Sequence, residues 1–216
     1  MNDILKLTII LMTVCVVSGL LLGLVSDATR QPIREAEQRK LLDSLSVALP
    51  SAKRFSGERE MKLAGGRSLP YYEGYSNTGR LVGYALLGEK QGYQSELRVL
   101  VGIRPDGVIE GIDVVQQAET PGLGARVDEI KVDETLWSRI NRFFKAEKKR
   151  GPAPRPWFQE QFNGLTADEL KVLVPPQKGK GVQALTGATI TSRALVQAVQ
   201  ESIELFLKKE KGGSRG

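Results

Sequence analysis

The sequence predicts an α+β fold, with one N-terminal transmembrane helix followed by an antiparallel sheet packed with helices. Three features of the 216-residue chain support this prediction: an uncharged apolar run near the N-terminus, period-two strand patterns in the middle, and an amphipathic segment near the C-terminus. The length suits a single domain plus an anchor.

The N-terminal apolar run predicts a retained membrane anchor over residues 1–28. Residues 7–26 contain no charged side chain, and a run of ~20 apolar residues is long enough to span a bilayer. A cleaved signal peptide is the alternative, but its apolar core would be shorter and a small-x-small cleavage site should follow. The sequence Val25-Ser26-Asp27-Ala28 does not have that form.

A helical stalk and linker are predicted over residues 29–68. Residues 29–49 carry a rough apolar stripe, and Pro50 ends the pattern. The stripe consists of Ile33, Ala36, Leu41, Leu42 and Leu45. Beyond Pro50, three glycines between residues 51 and 69 indicate loop or irregular structure.

The central part of the chain predicts an antiparallel meander of about four strands. Strand-like apolar runs cover residues 71–75, 81–87, 96–103 and 108–115. The sequence Arg104-Pro105-Asp106-Gly107 predicts the hairpin turn between the last two, since proline and glycine occupy favoured turn positions. Glycines within or beside the strands indicate bulges or close approach by another group. They are Gly83, Gly92, Gly102 and Gly111.

Beyond the sheet, the pattern predicts further helices and a short strand. Residues 134–149 carry apolar side chains at helical spacing, and residues 166–169 have the form of a capped helix start. Residues 172–174 predict the short strand. Trp137 and Trp157 could stack on a planar ligand, but large aromatic side chains lie in protein cores more often. Both tryptophans are therefore expected in the core.

The absence of histidine and the single cysteine narrow the possible chemistry. Cys15 lies within the apolar run, so the chain can form neither an internal disulfide nor a Cys/His metal site. Without histidine the usual general base is missing, which disfavours stand-alone hydrolase or transferase activity. The formal net charge is +6, with basic residues clustered between 139 and 155 and in the tail. On an anchored chain this predicts a solvated face or a surface near anionic lipid, and no nucleic-acid partner.

A hydroxyl-rich segment precedes the C-terminal amphipathic pattern. Residues 183–192 place four hydroxyl side chains around Gly187. The apolar stripe that follows predicts a helix whose N-cap is Thr191 or Ser192, with Thr189 in the preceding turn. Helix N-termini attract phosphate, and Gly187 leaves room for it to approach the backbone. The segment is therefore a predicted phosphate site that contains a threonine hydroxyl.

The six residues from Thr186 to Thr191 resemble the flavinylation motif Ser/Thr-Gly-Ala-Thr-x-Ser/Thr. This motif belongs to the FMN-binding subunits of Rnf-type ion-translocating oxidoreductases and of Na⁺-translocating NADH:quinone reductases. The resemblance implies that Thr189 carries FMN through a phosphoester bond to its hydroxyl. It also implies that the rest of the motif shapes the turn around the phosphate, namely Thr186, Gly187, Ala188, Ile190 and Thr191. The family usually has aspartate six positions before the modified threonine, where this chain has Gln183.

A second motif lies between the predicted strands and the C-terminal segment. Its sequence is Glu119-Thr120-Pro121-Gly122-Leu123-Gly124, and its glycines and proline predict a tight loop. By itself such a loop is a plain connector. After a strand-turn-strand pattern, however, it resembles the loop that lies near the flavin in the same family. The resemblance implies that all six residues bind the cofactor, and two motifs in the family's order are more specific than either alone.

The resemblance further implies an electron-carrying subunit of an Rnf-type complex, with covalently attached FMN as its cofactor. The expected partners are the other membrane and peripheral subunits, a periplasmic flavin transferase that uses FAD, and the lipid bilayer. Residues 69–210 would form a periplasmic FMN-binding domain on a bacterial inner membrane, and residues 211–216 a flexible tail. The basic residues after the anchor would favour a cytoplasmic domain instead, but the positive-inside rule is weak for long translocated domains.

Two other functions remain open from the sequence. The first is a membrane-anchored binding or assembly module without redox activity, which Gln183, the absent histidine and the basic segment would suit. The second is the equivalent subunit of a Na⁺-translocating NADH:quinone reductase, although the compact length favours the Rnf type. A yellow purified protein would distinguish a flavoprotein from the non-redox module.

Overall fold

The computed structural model describes residues 2–63, 66, 68–130, 155–173 and 180–213. The chain divides into two units, Met1–Asp43 and Ser44–Gly216. The predicted helix over residues 134–149, Trp137 and nearly all of the basic cluster lie outside the described residues.

The first helix, α1, runs from Asn2 to Ala48, with Pro32 inside it. From Asp3 onward it is long and apolar enough to cross a membrane, with a window of mean hydropathy 2.6, judged by length and composition only. Its apolar side chains from Ile4 to Val25 are exposed, which fits a single-pass anchor whose surface meets lipid. The helical part of the predicted stalk therefore belongs to the same helix as the predicted anchor.

A six-stranded antiparallel sheet dominates the second unit, and its order is β1-β3-β4-β5-β6 with β2 also paired to β3. The strands are β1 (Arg54–Phe55), β2 (Arg59–Lys62), β3 (Ser68–Tyr75), β4 (Leu81–Gln91), β5 (Glu96–Ile103) and β6 (Ile109–Gln116). The last four are the predicted meander, which is confirmed. Gly107, at φ 82°, closes the β5–β6 turn by donating its N–H to the carbonyl of Arg104 at 2.9 Å.

The prediction of loop for residues 51–69 is wrong in part, because β1 and β2 lie there. Both strands pair with β3, in the registers Phe55 to Gly74 and Arg59 to Tyr71. Strands of two and four residues are too short to show a period of two in the sequence. Their pairing depends on the free edge that β3 offers, which is a tertiary feature.

One face of the sheet packs against the long C-terminal helix, α3 (Thr189–Gly213). The core between them is apolar and buried, because alternate strand residues and the helix stripe face each other. Its members include Leu86, Val99, Val101, Leu195, Val199 and Ile203. The amphipathic helix predicted from the sequence is thereby confirmed.

The other face of the sheet packs against residues at the end of α1. A Cβ at Gly102 would lie 2.0 Å from the carbonyl oxygen of Ala48, and one at Gly83 would lie 2.9 Å from a methyl carbon of Leu49. Both glycines therefore permit contacts that any side chain would block. This confirms the prediction that another group approaches the sheet at these positions.

Short elements complete the second unit. They are a 3-10 helix (Gly124–Asp128), α2 (Trp157–Glu160), a second 3-10 helix (Ala167–Glu169), and the parallel pair β7 (Val172–Leu173) and β8 (Val182–Gln183). Thr166 and Glu169 form the predicted capping box. Trp157 packs edge-on against the buried Phe158, so its ring joins the core as expected.

Candidate functional site

A cavity of about 400 Å³ lies where the β4–β5 turn, the loop 119–124 and the start of α3 meet. Its lining residues are Tyr93, Glu119, Thr120, Leu123, Gly124, Gly187, Ala188, Thr189, Ile190 and Thr191. The two motifs that the sequence singled out, far apart along the chain, therefore form one site.

The start of α3 sets the position of Thr189. A turn precedes the helix, with Gly187 at φ 80° and the N–H of Ala188 donating to the carbonyl of Leu185 at 3.0 Å. The Ser192 hydroxyl holds this turn to the helix, because it donates to the carbonyl of Ala188 at 2.9 Å and accepts from the N–H of Leu185 at 3.0 Å. The partly exposed Thr189 is the first helical residue and lines the cavity.

The predicted N-cap at Thr191 or Ser192 is therefore wrong, and so is the placement of Thr189 in the preceding turn. The helix begins at Thr189, which puts Thr191 and Ser192 in its first turn. Thr191 is 1% exposed, and its hydroxyl donates to the Glu119 Oε2 atom at 2.7 Å. A hydroxyl-rich segment offers several possible caps, and the tertiary bond to Glu119 uses one of them.

Glu119 is the centre of the hydrogen-bond network beside the cavity. Its side chain is 5% exposed. Oε1 accepts from the N–H groups of Gln94 and Ser95, each at 3.0 Å, and from the Ser95 hydroxyl at 3.3 Å. Oε2 accepts from the N–H of Tyr93 at 3.3 Å as well as from Thr191. Three successive backbone N–H groups thus surround one carboxylate, in the manner of an anion nest.

This network keeps the Glu119 carboxyl ionised. Burial by itself would raise its pKa, but the hydrogen bonds from Thr191 and from the N–H groups of Ser95, Gln94 and Tyr93 lower the pKa below its ordinary value. The buried, negatively charged carboxylate is thereby stabilised by hydrogen bonds beside the cavity. The β4–β5 turn, the loop and α3 are all attached to the same side chain.

Two glycines allow the carboxylate to reach this position. A Cβ at Gly92 would lie 2.6 Å from Oε1 of Glu119, and one at Gly124 would lie 2.7 Å from Oε2. Side chains at either position would push Glu119 away from its donors. The glycine loop is therefore closely packed around the Glu119 carboxylate.

The rest of the loop 119–124 divides into a part at the cavity and a part outside it. Thr120 lines the cavity, and its hydroxyl donates to the side-chain oxygen of Gln94 at 3.1 Å. The N–H of Leu123 donates to the carbonyl of Thr120 at 3.1 Å and closes a turn with Gly122 at φ 77°. Pro121 and Gly122 are exposed at the tip of this turn and do not line the cavity.

Most of the predicted site residues therefore line one cavity, but Thr186 does not, and one further residue, Tyr93, does. Thr186 is exposed and does not line the cavity, although its neighbour Gly187 does. Tyr93 lines the cavity and was not among the predicted site residues. Its turn, Gly92-Tyr93-Gln94-Ser95, lies between two predicted strands, and an aromatic side chain beside a glycine in such a turn is the sequence signal that points to it.

The chemistry available here is that of a hydroxyl at a helix start. The first N–H groups of a helix lack partners within it and favour a bound anion, and those of α3 begin at Thr189. No group of three or more acidic or cysteine side chains that could hold a metal ion occurs in the described parts of the chain. The arrangement therefore suits a phosphate beside the Thr189 hydroxyl, in a cavity whose other lining side chains are both apolar and polar.

A comparison with known protein families shows that the chain contains an FMN-binding domain. The family described as "FMN-binding domain" matches residues 92–204, a range that includes both motifs and Tyr93. A crystal structure of Shewanella oneidensis NqrC is similar over 76% of this chain and 73% of that one, with 19% identity and a TM-score of 0.49.

Curated relatives narrow the class further. The G subunit of the Na(+)-translocating ferredoxin:NAD(+) oxidoreductase complex of Acetobacterium woodii is 32% identical, over 93% of this chain and 90% of that protein. The G subunit of the proton-translocating ferredoxin:NAD(+) oxidoreductase complex of Clostridium ljungdahlii is 27% identical, over 94% and 91%. The chain belongs to the family of G subunits of ion-translocating ferredoxin:NAD(+) oxidoreductase complexes, whose members are components of a multi-subunit oxidoreductase.

Proposed function

We propose that the chain is the electron-carrying flavoprotein subunit of such a complex, with FMN joined to Thr189 by a phosphoester bond. The observation that carries this proposal is the position of Thr189, whose side chain lines the cavity at the first residue of α3. An anion there is favoured by the helix dipole as well as by the unpaired N–H groups. The membership in the FMN-binding family supports flavin as the ligand.

Thr189 is favoured over the neighbouring hydroxyl residues as the attachment site. It lines the cavity, whereas each of the others either forms an internal hydrogen bond or lies outside the cavity. The Thr191 hydroxyl is buried and bonded to Glu119, and the Ser192 hydroxyl is buried and bonded to the turn before the helix. Thr186 is exposed outside the cavity. Esterifying Thr191 would remove one hydrogen bond from the buried Glu119 carboxylate, which is costly in a buried position.

The residues present suit FMN in both size and chemistry. A volume of about 400 Å³ is within the usual range for a small-molecule site. The helix start offers N–H donors for a phosphate, while Tyr93, Leu123 and Ile190 offer an apolar surface for a ring system. The hydrogen bonds that the Glu119 oxygens accept disperse the negative charge of this carboxylate and so weaken its repulsion of a phosphate.

Attachment needs a second enzyme and a flavin donor. A flavin transferase would use FAD as the substrate, and the Thr189 oxygen would attack the phosphorus of its FMN half. The new Thr–O–P bond forms as the diphosphate P–O bond breaks, AMP leaves, and the hydroxyl proton passes to a base of the transferase or to water. This chain supplies the nucleophilic oxygen and the helix start that stabilises the resulting phosphodiester charge.

Covalent attachment fits a relay role on the outer side of a membrane. The bound flavin supplies the redox chemistry, and the protein holds and tunes it. The ester keeps the flavin in place through each redox state and prevents its loss to the periplasm. The partners in this proposal are the other subunits of the complex, the periplasmic transferase, and the bilayer around α1.

An intact-mass measurement tests the attachment. The full chain, produced with a flavin transferase and solubilised in detergent, should carry the added mass of one FMN unit and give a fluorescent band after denaturing electrophoresis. Thr189→Ala should insert into the membrane but lack both signals, whereas Thr186→Ala should keep them. Flavin retained in Thr189→Ala, or mapped to Thr186 or Thr191 in the wild type, would contradict the proposal.

A reporter fusion tests the periplasmic orientation. A reporter that works only in the periplasm, fused after Gly216, should be active, and the same fusion to a cytoplasm-specific reporter should be silent. Activity of the cytoplasmic reporter would overturn the orientation. It would leave the flavin assignment to be judged by the mass measurement.

A further inference from the structure

An apolar rim surrounds the cavity beside Thr189. In the second unit, the large apolar side chains that the described residues leave exposed are Tyr93 (69%), Leu123 (44%), Ile130 (42%) and Ile190 (56%). Three of these four line the cavity. A soluble surface rarely gathers its exposed apolar groups at one place without a ligand or partner to cover them.

Tyr93 differs from the other rim residues because it is aromatic and because its backbone is fixed. Its N–H donates to Oε2 of Glu119, the same oxygen that accepts the Thr191 hydroxyl. The next two N–H groups, of Gln94 and Ser95, donate to Oε1. One carboxylate therefore ties the turn that carries Tyr93 to the first turn of α3, two residues from Thr189.

From this geometry we infer that the side chain of Tyr93 contacts the isoalloxazine ring of the flavin and helps to position it. Glu119 holds the turn from which this side chain extends. The inference rests on the proposed attachment at Thr189, since a phosphoester there tethers the ring beside the same cavity. The exposed phenol of Tyr93, beside aliphatic side chains, suits a planar, electron-poor ring, because stacked and edge contacts between aromatic rings are favourable. Leu123 and Ile190 supply the remaining apolar contact.

The fixed backbone gives Tyr93 a clear advantage for this role. With the backbone held by Glu119, only the rotamer freedom of the Tyr93 side chain is lost when the ligand binds, so more of the contact energy is retained. Trp157, the aromatic residue at the start of α2, packs against Phe158 and does not line the cavity. Tyr93 is the aromatic residue that lines this cavity, among the residues the structure describes.

Spectroscopy of the covalently loaded chain tests the inference without any activity measurement. A phenol in contact with a flavin quenches its fluorescence, and a stacked ring alters the visible circular dichroism. Tyr93→Leu should raise the native fluorescence per flavin several-fold and change the visible dichroism. Tyr93→Phe should raise the fluorescence while keeping the dichroism of the wild type, because the ring remains but the oxidisable phenol is lost.

Controls separate this inference from the attachment itself. Fluorescence of the denatured band reports attachment and should be unchanged in both Tyr93 variants. Ile130→Ala, an exposed apolar position that does not line the cavity, should leave every signal as in the wild type.

A fluorescent band with unaltered native fluorescence and dichroism in Tyr93→Leu would overturn the role of Tyr93 alone. Loss of the fluorescent band in both Tyr93 variants would show that the Tyr93 side chain is needed for attachment. That result would also contradict the inference that it contacts the ring of a flavin already attached. A wild-type chain without a fluorescent band would contradict the proposed function and this inference together.

Discussion

The hydroxyl of Thr191 lies 2.7 Å from the Oε2 atom of Glu119, across 72 positions of the sequence. This bond joins the glycine loop to the first turn of α3. Because the same carboxylate also accepts the N–H groups of the β4–β5 turn, it determines the mutual position of three segments around the cavity. The contact therefore explains how two separate motifs form one candidate flavin site.

Removing the Thr191 donor should destabilise the domain. Thr191→Val keeps the side-chain shape but leaves the buried Glu119 oxygen with one hydrogen bond fewer, which should cost about 2 kcal/mol of unfolding free energy. Urea unfolding of the solubilised full chain, followed by tryptophan fluorescence, would measure this loss. Thr186→Val, at an exposed position outside the cavity, is the matched control and should change the unfolding free energy little. Equal losses of unfolding free energy in the two variants would show that the hydrogen bond from Thr191 to Glu119 does not stabilise the domain.

Acid should weaken the network in a predictable direction. The pKa of Glu119 is lowered in the folded state, so its carboxylate stabilises the fold fully above the ordinary carboxyl pKa. That contribution is lost as the pH falls through the lowered, folded-state pKa. Glu119→Gln should be less stable near neutral pH by about 2–3 kcal/mol, since an amide cannot accept all these donors.

The difference between wild type and Glu119→Gln should narrow on acidification below the ordinary carboxyl range. Unfolding free energies of both proteins measured over a pH series would show this. A difference that stays constant down to the acid limit would mean that Glu119 is not the ionised acceptor described here. The comparison isolates Glu119, because the other carboxylates are common to both proteins.

A side chain at Gly124 should disrupt the site. Its Cβ would lie 2.7 Å from both Oε2 of Glu119 and the Thr191 hydroxyl oxygen, so Gly124→Ala must displace one of them. Overpacking of this kind should cost about 1–3 kcal/mol. Gly57→Ala is the matched control, because nothing lies within 4 Å of its added Cβ. Paired urea unfolding curves should separate the variants, and a tolerant Gly124 would show that the loop can relax away from Glu119.

Gln183 offers a test of how the flavin transferase recognises this chain. Its backbone N–H donates to the side-chain oxygen of Gln161 at 2.8 Å, while its side chain is exposed. We predict that Gln183→Asp raises the flavinylated fraction when the transferase is limiting, because a carboxylate is usual at this place in the motif. Intact mass gives that fraction directly. The charge-matched control is Gln197→Glu, on the exposed side of α3, and it should leave the flavinylated fraction unchanged. An equal rise in both variants would show that the change in net charge, and not the position of the carboxylate, causes the effect.

The sequence by itself determined the apolar N-terminal helix, the four-strand meander and the amphipathic helix α3. Each of these depends on local pattern: an uncharged run from residue 7 to 26, alternation along strands, and turns such as the one that Gly107 closes. Both cofactor motifs were also visible, since their hydroxyls and glycines are contiguous in the chain.

Tertiary structure decided which of these residues meet, and what each one does. Whether Thr191 caps the helix or bonds to Glu119 depends on a residue 72 positions away, so no local pattern could decide it. The same reason applies to Tyr93, which reaches the cavity because Glu119 holds its turn, and to β1 and β2, which form because β3 has a free edge. Hydrogen bonds and packing between distant segments are set by the folded arrangement, whereas periodicity records only the neighbours along the chain.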